Sequence, residues 1–347
     1  MLPAVVIALG SAVLFGLSTP VAKLLLGEAD PWMLAGLLYG GAGVGLLAVH
    51  LARRALGGAE AHLARGDLPW LAGAVVSGGI VGPVLLLLGL ARVEASAASL
   101  LLTLEGVLTA VLAWFVFKEN FDRRIALGMA SIVAGAVVLN WRADVTITEL
   151  AGPAALVAAC LAWAIDNNLT RKVSLSDPVQ IAMIKGLVAG PVNLAIALLA
   201  GAAWPSAGTV SLATLTGFAG YGISLVLFVL ALRHLGTART GAYFSVAPFL
   251  GAVASVAILG EPVTPALALA GALMAFGVWL HVSERHEHEH EHEELAHEHR
   301  HVHDAHHDHA HDGPVDPRRP HSHWHRHAPL RHAHPHVPDS HHRHRHP

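Results

Sequence analysis

Four ionisable residues, Lys23, Glu105, Asp166 and Lys185, stand well inside long apolar runs of this 347-residue chain. A charge carried into a bilayer is costly unless it is paired or wetted, so each is a candidate for work on a solute or a proton. Glu105 lies about ten residues into the run Ala95 to Asn120, close to its middle. A carboxylate there can take up and release a proton, which a proton-coupled carrier requires. The position also suits a glutamate that only bonds neighbouring hydroxyls or a lysine across a helix bundle. Asp166 stands with Asn167 and Asn168, a set of carboxylate and amides able to hydrogen-bond a polar substrate or a water chain. It equally suits a helix end at the membrane interface, because Arg171 and Lys172 follow within two turns. Lys185 lies roughly 12 Å into its run, where it either pairs with a carboxylate or snorkels to the inner surface. Snorkelling is the favoured reading, and Lys23, near the outer end of the first run, reads similarly.

The elements that must hold these residues are membrane spans. The chain divides at about Ser283: residues 1–283 carry 13 acids and 14 bases between apolar runs that repeatedly reach the ~20 residues needed to cross a bilayer. Residues 284–347 carry 12 acids, 8 arginines and 23 of the 27 histidines, with almost no large apolar residues. Such a segment cannot bury enough apolar surface to offset its chain entropy, so it is expected to be a disordered tail. The single cysteine, Cys160, excludes an internal disulfide framework and reads as a small packing residue. The run Leu2 to Leu26 has no basic leader and is too long for a secretory signal, so it reads as the first span. Ten spans are expected, at about 3–26, 32–52, 68–90, 95–117, 123–141, 149–168, 177–200, 209–232, 238–259 and 264–282.

Lysine and arginine fix the expected orientation. With the amino terminus inside, ten fall on the cytoplasmic side, including Arg53, Arg54, Arg65, Arg171 and Lys172, against Arg92 and Arg142 outside. Both termini are therefore expected in the cytoplasm, in a cell (inner or plasma) membrane. The run ASAASLLLTLEGVLTAVLAWFVFKEN at 95–120 returns as TARTGAYFSVAPFLGAVASVAILGEP at 237–262, which sets Glu119 on Glu261 and Gly135 on Gly277. LFGLSTPVAK at 14–23 lines up with AWAIDNNLTR at 162–171, so Ser18, Thr19 and Pro20 fall on Asp166, Asn167 and Asn168. Asp30-Pro31 recurs as Asp177-Pro178. Two five-helix halves, 1–142 and 149–283, follow; five is odd, so the second half enters from the opposite face and the halves are inverted-topology repeats. Each first helix turns polar two-thirds of the way across, and Pro20 would free backbone carbonyls there.

With those residues in view, 1–283 resembles the EamA type of the drug/metabolite transporter superfamily. The resemblance rests on FGLSTPVAK, the small-residue openings of the fourth and ninth helices, Pro248, and the twice-used helix–glutamate–helix ending at Glu119 and Glu261. It implies an alternating-access carrier, often an exporter of amino acids, metabolites or toxic organic compounds, with helices 1, 3, 4, 6, 8 and 9 lining a central cavity. Where the family commonly has Glu-Pro, this chain has Glu105-Gly106, so no proline marks a bend in the fourth helix.

Ser18, Thr19, Glu105, Asp166, Asn167, Asn168 and Lys185 are thus the candidates for substrate contact or proton coupling. Glu119 and Glu261 read as loop-fixing caps or as gate residues on opposite faces. Trp114, Trp141, Trp163 and Trp279 stand toward span ends, where tryptophan is usually an interface anchor. No phosphate-binding loop, nucleophile elbow or metalloprotease histidine pair lies in the helices, so no enzyme, catalytic residue or required cofactor is expected.

The tail opens HEHEHEHEE from His286 and continues in His-x-His and His-His pairs. Imidazoles so spaced bind Zn, Ni, Co or Cu, with His286, His288, His290, His292, His297, His299, His301, His303, His306, His307, His309 and His311 as candidate ligands. The helices themselves hold only His50, His234 and His281, near their ends, with His62 in a loop. The expected function is secondary transport, as an exporter of a small organic metabolite, amino acid or drug-like solute, with a metal-binding cytoplasmic tail. A Ni, Co or Zn carrier loaded by the tail is the alternative, and a non-transporting interaction protein the third. The expected partners are the bilayer, a small-molecule substrate and divalent ions at the tail; no nucleic acid is among them, and the sequence leaves the oligomeric state open.

Overall fold

Aspartate, serine and threonine side chains set where several helices begin. Asp30 accepts from the Trp32 amide at 2.8 Å and Asp177 from the Val179 amide at 2.9 Å, each just before a proline at the first helical position. Ser206 and Thr264 cap in the same way, accepting from Thr209 and Leu267. The structure, a computed structural model, describes residues 2–56, 63–117, 123–140, 147–174 and 176–283, together with four short tail segments. Its α-helices among the described residues are α1 (Leu2–Leu25), α2 (Pro31–Ala55), α3 (Leu68–Ala74), α4 (Gly82–Leu90), α5 (Ala95–Leu101), α6 (Leu104–Phe117) and α7 (Arg123–Asn140). They continue as α8 (Ile147–Val173), α9 (Pro178–Leu199), α10 (Ala207–Thr216), α11 (Ser224–Phe244), α12 (Ala247–Leu259) and α13 (Pro265–Val282).

Seven helical segments among the described residues are long and apolar enough to cross a membrane, and three shorter apolar helices accompany them. Apolar side chains such as Val44, Leu51, Val253 and Leu269 are exposed on these segments, as lipid contact requires. The chain is therefore a multi-pass membrane protein.

Two π-helical stretches interrupt the bundle. Val75–Val81 joins α3 to α4 and Gly217–Ile223 joins α10 to α11; their starts are 142 positions apart (217 − 75), the offset of the sequence repeat. A π turn accommodates an extra residue and leaves backbone groups to be satisfied from outside the helix.

Glycine lets the central helices touch backbone to backbone, since apolar burial cannot drive association inside lipid. A Cβ on Gly186 of α9 would stand 2.6 Å from Gly43 Cα of α2, and one on Gly190 would stand 2.7 Å from Gly40 Cα. At the α7–α13 crossing, a Cβ on Gly135 would lie 2.9 Å from the Ala270 carbonyl, and one on Gly277 would strike the Gly128 carbonyl. Ala270 and Gly128 are 142 positions apart, as are Gly277 and Gly135.

Two boundaries differ from expectation. The break placed near 233–237 is absent, and α11 runs on to Phe244 before the chain turns at Ser245–Val246. The stretch RHLGTART contains no proline and can stay helical, whereas Pro248 sits in the first turn of α12 and favours a helix start there. The fourth span also breaks, at Leu102–Thr103, although no proline follows. By contrast α1 stays helical through Pro20, with the Ser18 hydroxyl donating to the Phe15 carbonyl at 2.6 Å.

Four short strands are described in the tail: β1 (Glu287–His292), β2 (Leu295–His301), β3 (His321–His327) and β4 (Leu330–Pro335). β1 pairs with β4 and β2 with β3, both antiparallel. Alternation at period two is compatible with a strand, but two-stranded ladders without an apolar face are marginal on their own.

Candidate functional site

The first π stretch builds one wall of the site. Its Gly78 carbonyl accepts from the Tyr39 hydroxyl at 2.6 Å and the Trp163 indole at 3.1 Å, and its Gly79 carbonyl accepts from Asn193 at 3.1 Å. The displaced backbone thus collects three side chains from α2, α8 and α9. A side chain at Gly78 would run into the Asp166 carboxylate, so glycine is what lets α8 bring that group against the π turn.

Asp166 and Lys185 form an ion pair, with the ammonium 2.6 Å from both carboxylate oxygens. Thr170 donates to the same carboxylate at 2.8 Å. Lys185 is only 1% exposed, so the expectation that it snorkels is corrected: it spends its charge on Asp166. The two residues stand about equally far from the connection Ser174 to Asp177, and an antiparallel helix pair brings such positions to one depth. That spacing was readable; the rotation of each helix about its axis was not.

Beside this pair, Asn167 donates to Glu105 at 2.7 Å. Glu105, Asp166, Asn167 and Lys185 all line one partly open cavity. Phe15, Tyr39, Trp163, Tyr221, Phe228 and Phe244 complete most of the wall. None of these aromatics was singled out from the sequence as a site residue, and Trp163 was read with the interface anchors. It is buried and hydrogen-bonded instead, because its indole N–H finds the freed Gly78 carbonyl. Trp279 does stand at the surface, 5.7 Å from the Arg124 guanidinium carbon.

The other candidates lie elsewhere. Ser18 and Thr19 are buried but off the cavity, and Asn168 turns to the carbonyls of Ala164 and Thr109. Glu119 lies outside the described residues, as do His286, His303, His306, His307, His309 and His311; His288, His290, His292, His297, His299 and His301 fall on β1 and β2.

Glu261 has a defined place. One of its oxygens accepts from the Ala95 amide at 2.7 Å and the other from the Ser96 amide at 2.8 Å, so it caps α5 from the α12–α13 connection. Nearby, Lys23 donates to the carbonyls of Leu90 at 2.5 Å and Val93 at 2.7 Å, on the link that leads into α5. Lys23 is therefore a clamp between α1 and the α4–α5 link. Glu261→Ala is expected to lower stability by about 1 kcal/mol, as loss of a helix cap does. Thermal unfolding in detergent checks this; an unchanged midpoint would count against the cap.

Comparison with known proteins places these features. A sequence profile described as the EamA-like transporter family matches residues 2–141 and again 150–283. An uncharacterized transporter of Methanothermobacter thermautotrophicus is 28% identical over 291 residues, covering 78% of this chain and 83% of that one. A probable 4-amino-4-deoxy-L-arabinose-phosphoundecaprenol flippase subunit, ArnE, of Pseudomonas aeruginosa is 42% identical over 76 residues, or 22% of this chain and 64% of its own. A protein of known crystal structure superposes with a TM-score of 0.61 at 19% identity, covering 80% of this chain and 96% of that one, which is a likeness of fold alone. The matched ranges take in the cavity, the ion pair and the clamp: this chain belongs to the EamA-like transporter family, within the drug/metabolite transporter superfamily.

Proposed function

We propose that this protein is a secondary carrier that exports a small organic solute by alternating access, with Glu105 and the Asp166–Lys185 pair at its working centre. The observation that carries the reading is the cavity itself. Its polar groups, Glu105 from α6, Asp166 and Asn167 from α8 and Lys185 from α9, converge into one space among aromatic rings. Buried ionisable groups inside a membrane bundle are costly, and a pathway for solute or protons accounts for them.

In this reading the chain has ten spans in two inverted halves, 1–142 and 149–283, with both termini in the cytoplasm of a cell membrane. Support comes from the π turns at one fixed offset, the reciprocal α7–α13 contacts, and the double match of the family profile. In that orientation Lys23 and Glu261 stand at the outer end, where their contacts would hold it closed. Residues 284–347 serve as a divalent-metal-binding accessory on the cytoplasmic side. A metal cargo is less well supported, because no group of three histidine, cysteine or acidic side chains that could hold an ion occurs among the described residues.

The test is growth tolerance of cells expressing the full chain, Glu105→Gln, or the chain ending at Ser283. A panel of organic amines, amino acids and drugs is run beside Ni, Co, Zn and Cu. The full chain is expected to raise tolerance to at least one organic compound, and Glu105→Gln to remove that gain while folded protein still reaches the membrane. Removing the tail is expected to change metal tolerance alone. If Glu105→Gln abolishes a metal phenotype and no organic one exists, metal is the cargo and the reading fails.

A further inference from the structure

The cavity carries a charge imbalance that its ion pair does not cancel. Lys185 is committed to both oxygens of Asp166, at 2.6 Å each, and the pair contributes no net charge. Glu105 receives one neutral donor, the Asn167 amide at 2.7 Å, and no cation among the described residues pairs with it. The ionisable lining therefore sums to one negative charge when Glu105 is ionised.

The rest of the wall is aromatic beyond what the composition would place there. Phenylalanine, tryptophan and tyrosine make up 6% of the chain. They nevertheless supply Phe15, Tyr39, Trp163, Tyr221, Phe228 and Phe244 to a lining of only 13 residues. The rings form one connected set: Phe15 stands 5.8 Å from Trp163, 5.9 Å from Tyr221 and 5.5 Å from Phe244. Tyr39 lies 5.4 Å from Tyr221, and Phe228 lies 4.9 Å from Phe244. A negative ring face attracts a cation more than it attracts a neutral group, and it does so without the strongly hydrated partners that would hold a metal ion.

We propose that the cavity binds a monovalent organic cation with an apolar or aromatic body, an amine or quaternary ammonium, with Glu105 as counter-ion and the six rings as its cradle. An anionic solute would meet Glu105 and find Lys185 already occupied. A bare divalent ion would lack a ligand set. This assignment rests on the carrier reading only for its cargo sense; binding stands or falls separately.

Benzyltrimethylammonium is the probe, with its neutral carbon isostere neopentylbenzene and the anion phenylacetate as comparators. Each is titrated by calorimetry into the full chain purified in detergent. The cation is expected to bind at least tenfold more tightly than either comparator. Glu105→Gln is expected to weaken it at least tenfold, and Phe15→Leu severalfold, since each variant removes one attraction for the cation. Circular dichroism and the melting midpoint of each variant show that its fold is kept. The proposal is overturned if the isostere or phenylacetate binds as well, if Glu105→Gln leaves cation affinity unchanged, or if the folded full chain binds none of the three. Should the cation fail while the Glu105-dependent tolerance of cells persists, the cargo class is wrong and the carrier reading survives. Should the cation bind while no tolerance depends on Glu105, transport fails and the binding site remains.

Discussion

Lys185→Met is expected to cost the purified protein about 3–5 kcal/mol of stability, because it leaves the Asp166 carboxylate buried without its counter-ion. Asp166→Asn strands the ammonium instead and should cost a similar amount. Replacing both at once removes the two charges together, and a buried ion pair so replaced is often neutral for stability. The double variant is therefore expected to recover most of the loss. Unfolding in detergent, run on all four proteins as a double-mutant cycle, measures the coupling. Single variants that each lose less than about 1 kcal/mol would show that the pair is solvated, which its burial argues against.

Gly186→Val is expected to prevent assembly of the bundle. The nearest obstacles to any side chain there are backbone: Gly43 Cα at 2.6 Å and the Tyr39 carbonyl oxygen at 2.7 Å from an added Cβ. No rotamer change relieves a clash with backbone, so α2 and α9 must separate. Even Gly186→Ala should cost at least the ~1–3 kcal/mol typical of overpacking. Gly40 supplies the control, since nothing lies within 4 Å of a Cβ built on it. Gly40→Ala should stay within about 0.5 kcal/mol of the parent, as changes without a new clash do. The yield of monodisperse protein after detergent extraction distinguishes the two; equal yields would refute the close crossing.

Much of this bundle was legible because membrane spans declare themselves by length and hydropathy. The same offset that joined Glu119 to Glu261 also joins the two π turns, yet the turns were not foreseen. A π turn depends on which carbonyls find outside donors, and Tyr39, Trp163 and Asn193 come from three other segments. Glu105 and Asp166 stood out as charges in apolar surroundings, and both line the cavity. The rings facing them did not stand out, because a phenylalanine in a span is ordinary until the helix rotation is known. Ser18 and Thr19 were drawn in by alignment with Asp166 and Asn167, but Gly220 packs against Ser18 and keeps it off the cavity. The α11 boundary was missed because a charged, small-residue stretch reads as a loop, although nothing in it forbids a helix.

In the proposed carrier, the clamp formed by Lys23 and Glu261 would set how the molecule spends its time. Its four contacts all involve a charged partner, a kind worth about 1.5–3 kcal/mol each when fully formed. Even a net 3 kcal/mol left after hydration of the separated groups corresponds to roughly 150-fold in occupancy. In the proposed carrier, that ratio is the resting preference for one facing over the other. A solute can turn the protein around only by favouring the opposite facing by a comparable amount. In that carrier the clamp would act as a threshold on turnover, and weakening it should raise leak before it raises useful flux.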